Sequence, residues 1–335
     1  MPITLKDSKV GLADKIDQTV IDEFRRDSFI LDQLTFDNCV SPGTGGSTLV
    51  YGYTQLKTPS VAEGRKINSE YTPGEALKAN KFINLKIYGG AFEVDRVIEQ
   101  TAAKSEISFQ LQQKIKATTN KFQYDFINGD SKGNAGEDAT PFDGLNKLCT
   151  GISTEYKPDV IDLTSADKIK ANAEVFAYQL AMWLSDFSEK PTVLLGNSKM
   201  VTTLAFVAKV LGYYTQGEDA FGRKVDTYDG IPIIDLGKYY DGTQGKSIDV
   251  VPVDPTTGVT SLYAGKFGLD AIHAASPAGD KIVHQYMPDL NAPGAVKKGE
   301  VEMVAGIVLK DTTKAGVFRN IQVMPAAASG AKKAS

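Results

Sequence analysis

Two runs early in the chain alternate between faces at every residue. Leu49, Tyr51 and Tyr53 alternate with Val50, Gly52 and Thr54, and Ile83, Leu85 and Ile87 alternate with Asn84, Lys86 and Tyr88. Both carry the period-2 signal of half-buried strands. Between them lies TPSVAEGRKINSEYTPGE, a polar excursion that holds Pro59, Gly64, Pro73 and Gly74. An insert of that length without structure of its own is uncommon inside a compact domain and is expected to touch something outside it. Another copy of the same chain is the favoured partner.

The period then changes from two to 3.6. Ile107, Leu111, Ile115, Phe122 and Phe126 share one face of a helix, while Lys104, Gln112, Lys116 and Lys121 fall on the other. Read as one helix from Thr101, a candidate cap, to Asn128, it spans about 42 Å at 1.5 Å per residue. Gly129 and Asp130 end it, and a Gly/Asp-rich loop follows. Upstream, Leu12, Ile16, Val20 and Phe24 recur every fourth residue, and SPGTGGS (Ser41–Ser47) reads as a flexible joint. That short amphipathic helix needs a surface for its stripe, on its own chain or on a neighbouring subunit.

Residues 151–290 read as an α/β lobe. Ile169, Ala173, Phe176, Leu180 and Trp183 form a helix stripe with Ser165 as N-cap and Pro191 beyond its end. Val193–Leu195 is a short buried strand, Met200, Leu204, Val207 and Leu211 make a second helix, and strands are expected around Ile231–Leu236 and Leu262–Ala264. TQGEDAFG (Thr215–Gly222) and KYYDGTQGK (Lys238–Lys246) read as surface connectors. Near the end, VEMVAGIVLK and GVFRNIQV read as two adjacent strands of one hairpin, with Val301, Met303, Ala305, Ile307 and Leu309 on one face. The tail after Pro325 is small and polar.

Composition narrows the class. The 335 residues suit two compact lobes, and 42% hydrophobic with 23% charged residues describes an ordinary globular chain. The net charge, 37 − 41 = −4, leaves no basic field of the kind that sequence-independent nucleic-acid binding requires. Cys39 and Cys149 are far apart and lack a C-x-x-C spacing, so two reduced thiols are expected. No stretch approaches about 18 consecutive apolar residues, and the N-terminus has no signal-peptide core, so neither a membrane span nor export is expected.

Chemistry is sparse. GTGGST (Gly43–Thr48) lacks the Gly-Lys-Ser/Thr of a phosphate loop and reads as a hinge. DSKGNAGED (Asp130–Asp138) has Lys132 where a calcium loop needs Asp or Asn and no closing Glu, so a solvated turn explains it. His273 and His284 have no partner at zinc spacing, and no G-x-S-x-G occurs. No catalytic, cofactor-binding or metal residue is assigned.

Order supplies what single motifs do not. Ala62-Glu63-Gly64 in the excursion, Phe126-Ile127-Asn128-Gly129-Asp130 closing the long helix and Phe142-Asp143-Gly144-Leu145 after it are followed by PTVLLGN (Pro191–Asn197), YDGIPIID (Tyr228–Asp235) and SLYAGKFGLDAI (Ser261–Ile272). From Leu49 to Val323 this succession resembles the major capsid proteins of tailed bacteriophages, whose fold, named after phage Hong Kong 97, is shared with encapsulins. The resemblance implies an α+β fold with an N-terminal arm (1–48), an extended loop hairpin (49–96), a peripheral spine-helix domain (97–150 with 291–325), an axial α/β domain (151–290) and a flexible tail (326–335). It implies a non-enzymatic subunit that assembles with itself into pentamers and hexamers of an icosahedral head in the host cytoplasm. The head would enclose double-stranded DNA without sequence-specific binding, and scaffolding, portal or decoration proteins are its expected partners. A shell around a cargo enzyme is the alternative, and a cytosolic α/β enzyme a more distant one. Some members join subunits by a Lys–Asn isopeptide bond with a Glu as base. Lys57, Lys66 and Glu63 are the residues here in position, no Asn partner can be assigned, and interface ion pairs at a solvated loop explain the same charges.

Overall fold

The structure, a computed structural model, describes residues 29–39, 48–58, 60–102, 105–132, 142–212, 215–218, 224–242, 245–277 and 283–327. The helix read over Leu12–Phe24, the joint at 41–47, Lys104, residues 133–138 of the acidic loop and the tail from 328 lie outside them.

The first described elements are α1 (Phe29–Gln33) and β1 (Phe36–Cys39). Although read as part of an arm, they belong to the body. Ile30 is buried in the main core, and β1 pairs in parallel with a strand near residue 274. β2 (Val50–Thr58) and β3 (Leu77–Asn84) follow as an antiparallel ribbon, Val50 opposite Asn84 and Thr58 opposite Leu77. The chain continues into β4 (Lys86–Asp95). At Leu85 the alternation changes phase. Tyr88, Phe92 and Val94 turn inward and Ile87 is exposed, the reverse of the expected pattern, because β4 joins a different sheet from the ribbon.

The helix expected from Thr101 to Asn128 begins at Glu106 as α3 (Glu106–Asn128), and Thr101 belongs to a separate short helix before it, α2 (Arg96–Thr101). Thr101 caps nothing. It ends α2, with its hydroxyl bonded back to Val97 O. Ser105 is the N-cap of α3, accepting from Ser108 N, and the Glu99 carboxylate on α2 receives Glu106 N and Ile107 N at 2.9 and 3.1 Å. With the free N–H groups satisfied and a carboxylate at the positive end, the break is stable and α3 is about 34 Å long.

Next come α4 (Leu145–Leu148), β5 (Glu155–Tyr156), β6 (Ile161–Asp162), α5 (Ala166–Ser185), β7 (Val193–Gly196) and α6 (Ser198–Leu211). Ser165 caps α5 as expected, and its whole predicted stripe is buried. Then β8 (Thr215–Glu218), β9 (Lys224–Tyr228) and β10 (Ile231–Asp235) form a meander turning at Asp229–Gly230, both at positive φ. β11 (Lys238–Asp241) and β12 (Lys246–Asp249) pair with each other, so the stretch read as a connector is a hairpin. The last strands are β13 (Val259–Gly265), β14 (Ile272–Pro277), β15 (Val283–Tyr286), β16 (Val296–Leu309) and β17 (Ala315–Gln322).

Two sheets organise these elements. In one, β16 is the long member, pairing along Val296–Ala305 with β4 and on its other edge with β15 and then β14. The other runs β5-β17-β13-β7-β10-β9-β8, with β6 also on β17. β16 and β17 are therefore not the hairpin that was expected. A turn at Thr312–Lys314, with Asp311 accepting from Thr313 N at 2.9 Å, redirects the chain from one sheet into the other. β17 is buried on both faces, and only a central position between α5 and the main core accommodates that.

The C-terminal part of α3 lies where the two sheets meet. Phe122, Phe126 and Ile127 share a core with Met303, Ala305 and Ile307 of one sheet and Val193, Leu195 and Val317 of the other. A second core, with Phe176, Trp183, Leu204 and Phe318, lies between α5, α6 and the opposite face of the second sheet.

Candidate assembly surfaces

The ribbon leaves the body at its root and has no third strand among the described residues. Tyr51, Tyr53, Leu85, Cys39, Ala275 and Val308 form a small cluster beneath that root. Beyond it burial ends. Leu77 and Phe82 are exposed, Phe82 by 72%, and past the strands so are Val61, Tyr71 and Ile67, the last by 92%. The excursion has local order of its own. Lys66 O accepts from Ser69 N at 3.2 Å, Asn68 takes φ 64°, Arg65 donates to Ser69 O at 3.1 Å, and its guanidinium lies 5.5 Å from the Tyr71 ring centroid. This small turn holds Ile67 out in water. Burying such a side chain against another surface is worth about 1.5–3 kcal/mol. Glu63 and Lys66 are exposed on the same segment, and Lys57 lies in β2.

The corner after α3 explains two motifs. Gly129 and Gly144 lie back to back, Gly144 N donating to Gly129 O at 2.8 Å. A Cβ on Gly144 would sit 2.6 Å from Gly129 N and from Ile127 O, so no side chain fits. The Lys147 ammonium bridges Asp130 and Asp143, and Asp143 also accepts from Ser131 N at 2.8 Å. Burial works to raise the Asp143 pKa, but those hydrogen bonds and Lys147 outweigh it and hold the carboxyl below its ordinary range. Asp130, the first residue of the loop weighed as a calcium site, is thus an ion-pair partner of a lysine.

Polar side chains of α3 fasten the second sheet's loops to the helix. Gln123 donates to Leu236 O and Asn128 to Val250 O, each at 2.7 Å. Tyr124 meets Tyr239 of β11 with centroids 5.1 Å apart. Lys121, expected on the solvent face, lies 5.1 Å from the Tyr239 ring centroid and 3.4 Å from Asp125. The buried Asp125 carboxylate also takes Lys86 and the Tyr88 hydroxyl at 3.0 Å each. Burial, reinforced by Asp125, pushes the Tyr88 phenol far above its usual range.

Among the described residues no group of three or more His, Cys, Asp or Glu side chains could hold a metal, and no helix is long and apolar enough to cross a membrane. His273 on β14 faces Val308 and His284 on β15 faces Glu302, at separate points along β16. Cys39 and Cys149 are free, buried thiols, raised by burial to about 11 and about 12. A cleft of about 320 Å³ between α4 and β17 includes Arg319 and Asn320. Its guanidinium is already engaged by Glu155 at 2.5 Å, by Asn146 and by Thr150. Asn320 takes φ 65° where β17 has two residues opposite Ser261 of β13, a bulge that sequence periodicity did not reveal.

No protein-family model and no curated protein sequence matches the chain. Solved structures do. The holo-SrpI encapsulin complex from Synechococcus elongatus aligns over 99% of this chain and 100% of its own, with a TM-score of 0.65 at 12% identity. A chain of Mycobacterium phage Bobi aligns over 98% and 100%, with a TM-score of 0.58 at 13% identity. The capsid of the native GTA particle aligns over 97% and 99%, at 0.55 and 10%. Identities this low speak to architecture, and they do so over the full length of each partner: the chain has the Hong Kong 97-like fold found in phage capsids and encapsulins.

Proposed function

We propose that the chain is a structural shell subunit that assembles with itself into closed icosahedral particles, and that its work is done by interfaces and not by a reaction. The observation that carries this reading is the ribbon. Val61, Ile67, Tyr71 and Phe82 stand in water on a two-stranded projection, within a fold whose full-length neighbours include a capsid and an encapsulin complex. In this reading the ribbon reaches over neighbours. The body around α3 is the plate, and the lobe of α5, α6 and the second sheet meets its copies around the five-fold and six-fold axes through heterologous contacts that close. A head enclosing double-stranded DNA, assembled in a host cytoplasm with scaffolding, portal or decoration proteins, fits the phage likenesses. An encapsulin-type compartment is the alternative, since an encapsulin complex shares the fold.

Light scattering and negative-stain microscopy of the purified chain test the common part. Uniform hollow particles or capsomer rings are expected, and a monodisperse monomer across salt and pH would overturn it. The nucleic-acid content of particles isolated from their source separates the two readings, since DNA supports a head and a co-purifying enzyme supports a compartment. For the Lys57, Lys66 and Glu63 set we favour interface ion pairs, because Glu63 is exposed and has no dry pocket within its own subunit. A ladder of covalent multimers on a denaturing gel would reverse that choice.

A further inference from the structure

The cleft of about 320 Å³ at β17 opens on the face of the second sheet that carries the main core, between α4, β13 and the end of β5. That volume is at the small end of ligand pockets. Tyr263 of β13 lines it and is only 2% exposed. Among the described residues its hydroxyl has no hydrogen-bond partner, yet it is not one of the sealed-off polar groups, so the little surface the residue keeps includes the oxygen. Burial pushes the phenol far above its usual range in spite of the nearby Arg319 cation. The oxygen therefore keeps its hydrogen and offers it to the cleft.

The strands meet irregularly at the same place. Arg319 and Asn320 of β17 both lie opposite Ser261 of β13, and Asn320 takes φ 65°. Bulges re-aim side chains, and residues held in this backbone region collect at ligand sites. Ser261 lines the cleft too, and its hydroxyl has no partner among the described residues. Asn146 of α4 accepts from Arg319 at 2.8 Å through its Oδ1, which leaves its Nδ2 to donate. Asn320 gives its own amide to Pro158 O at 2.7 Å and keeps Oδ1 as an acceptor.

The charges divide into matched and unmatched. Glu155 accepts from Arg319 at 2.5 Å and from Gly151 N at 2.6 Å. Burial works to raise the Glu155 pKa, but those bonds and the charges of Arg319 and Lys157 hold it low, so Glu155 and Arg319 neutralise each other. Asp254 turns its carboxylate onto its own turn, accepting from Thr256 N at 2.8 Å and the Thr257 hydroxyl at 2.7 Å. Lys157 is exposed at the cleft and makes no ion pair among the described residues. An ammonium, two hydroxyls and an amide N–H facing one space suit a ligand that mainly accepts and carries negative charge. The single spare acceptor, Asn320 Oδ1, suits the hydrogen of a monoprotonated phosphate.

We infer that this cleft binds a phosphate-class oxyanion, held by the Tyr263 and Ser261 hydroxyls, the Asn146 amide and the Lys157 ammonium, with Arg319 positioning Asn146. The site does not rest on the assembly reading, and whether the chain builds shells leaves its test untouched.

Isothermal titration of the full chain with inorganic phosphate, at an ionic strength held constant with sodium chloride, provides that test. One saturable site per chain is expected. Tyr263→Phe keeps the ring and removes the donor, and Lys157→Gln removes the charge from an exposed position. Each should weaken binding about tenfold or more, as loss of a hydrogen bond to an ion does. Lys170→Gln, at an exposed lysine of α5 outside the cleft, should leave binding unchanged. If Tyr263→Phe does not fold, Ser261→Ala takes its place. Glycerol phosphate distinguishes the sources of the oxyanion. Tighter binding than inorganic phosphate assigns the remaining volume to an organic group, and equal binding assigns the site to the phosphoryl group alone. No saturable binding in the millimolar range, an affinity unchanged in both cleft variants, or an equal loss in Lys170→Gln would each overturn the site.

Discussion

The ribbon and the C-terminal half of α3 are both rich in large apolar side chains, yet those side chains end in opposite environments. On the helix, Phe122, Phe126 and Ile127 are completely buried between two sheets. On the ribbon and its excursion, Phe82, Val61 and Ile67 are mostly in water. The helix completes its burial inside one chain, so its residues stabilise the subunit. The ribbon's apolar area is left over after folding and can lower free energy only by meeting another surface. One region answers to unfolding experiments and the other to assembly experiments.

The largest effect on the subunit is expected at the helix. Phe122→Ala removes a fully buried ring and should destabilise the chain by about 3–5 kcal/mol in denaturant unfolding. Gly144→Ala should come next, at about 1–3 kcal/mol, because its new Cβ meets backbone atoms that cannot move aside without shifting the corner. Lys121→Ala should cost about 1 kcal/mol or less. Its ammonium is half-buried against Asp125, but Lys86 and Tyr88 still satisfy that carboxylate. The smallest effect belongs to the ribbon. Ile67→Ser, or replacement of the excursion between β2 and β3 by a two-residue Asn-Gly turn, should leave unfolding within about 0.5 kcal/mol of the native chain. The same changes should abolish or distort particles under the electron microscope. Normal shells from the shortened chain, or equal thermal shifts for Phe122→Ala and Ile67→Ser, would dissolve the contrast between the regions.

Much of this contrast was legible in the residues. The spacing of Ile107, Phe122 and Phe126 marks the buried side of α3, and Ile169 to Trp183 that of α5, because a helix returns to the same face every 3.6 residues wherever it is placed. The ribbon was legible from its alternation and the long polar insert. The order of motifs pointed to the fold, and the structure supplies the mechanism of one pair: Gly129 and Gly144 are glycines because the two segments touch there. The bulge at Asn320 and the seat of Lys121 beside the Tyr239 ring left no comparable trace, since each depends on a residue distant in sequence.

Within a single helix, local periodicity settled which residues turn inward, because it follows from backbone geometry alone. It determined the ribbon and the two stripes of the second lobe. Tertiary structure decided the partners: that Leu85 changes the phase of the chain, that Glu99 caps α3 from the helix before it, and that β16 and β17 enter different sheets. It also decided that the hairpin at 238–249 lies on α3. A strand's hydrogen bonds and a cap's acceptor can come from anywhere in the chain. The choice among them is made by which arrangement fills the core and satisfies every buried polar group at once, a condition that no local window contains.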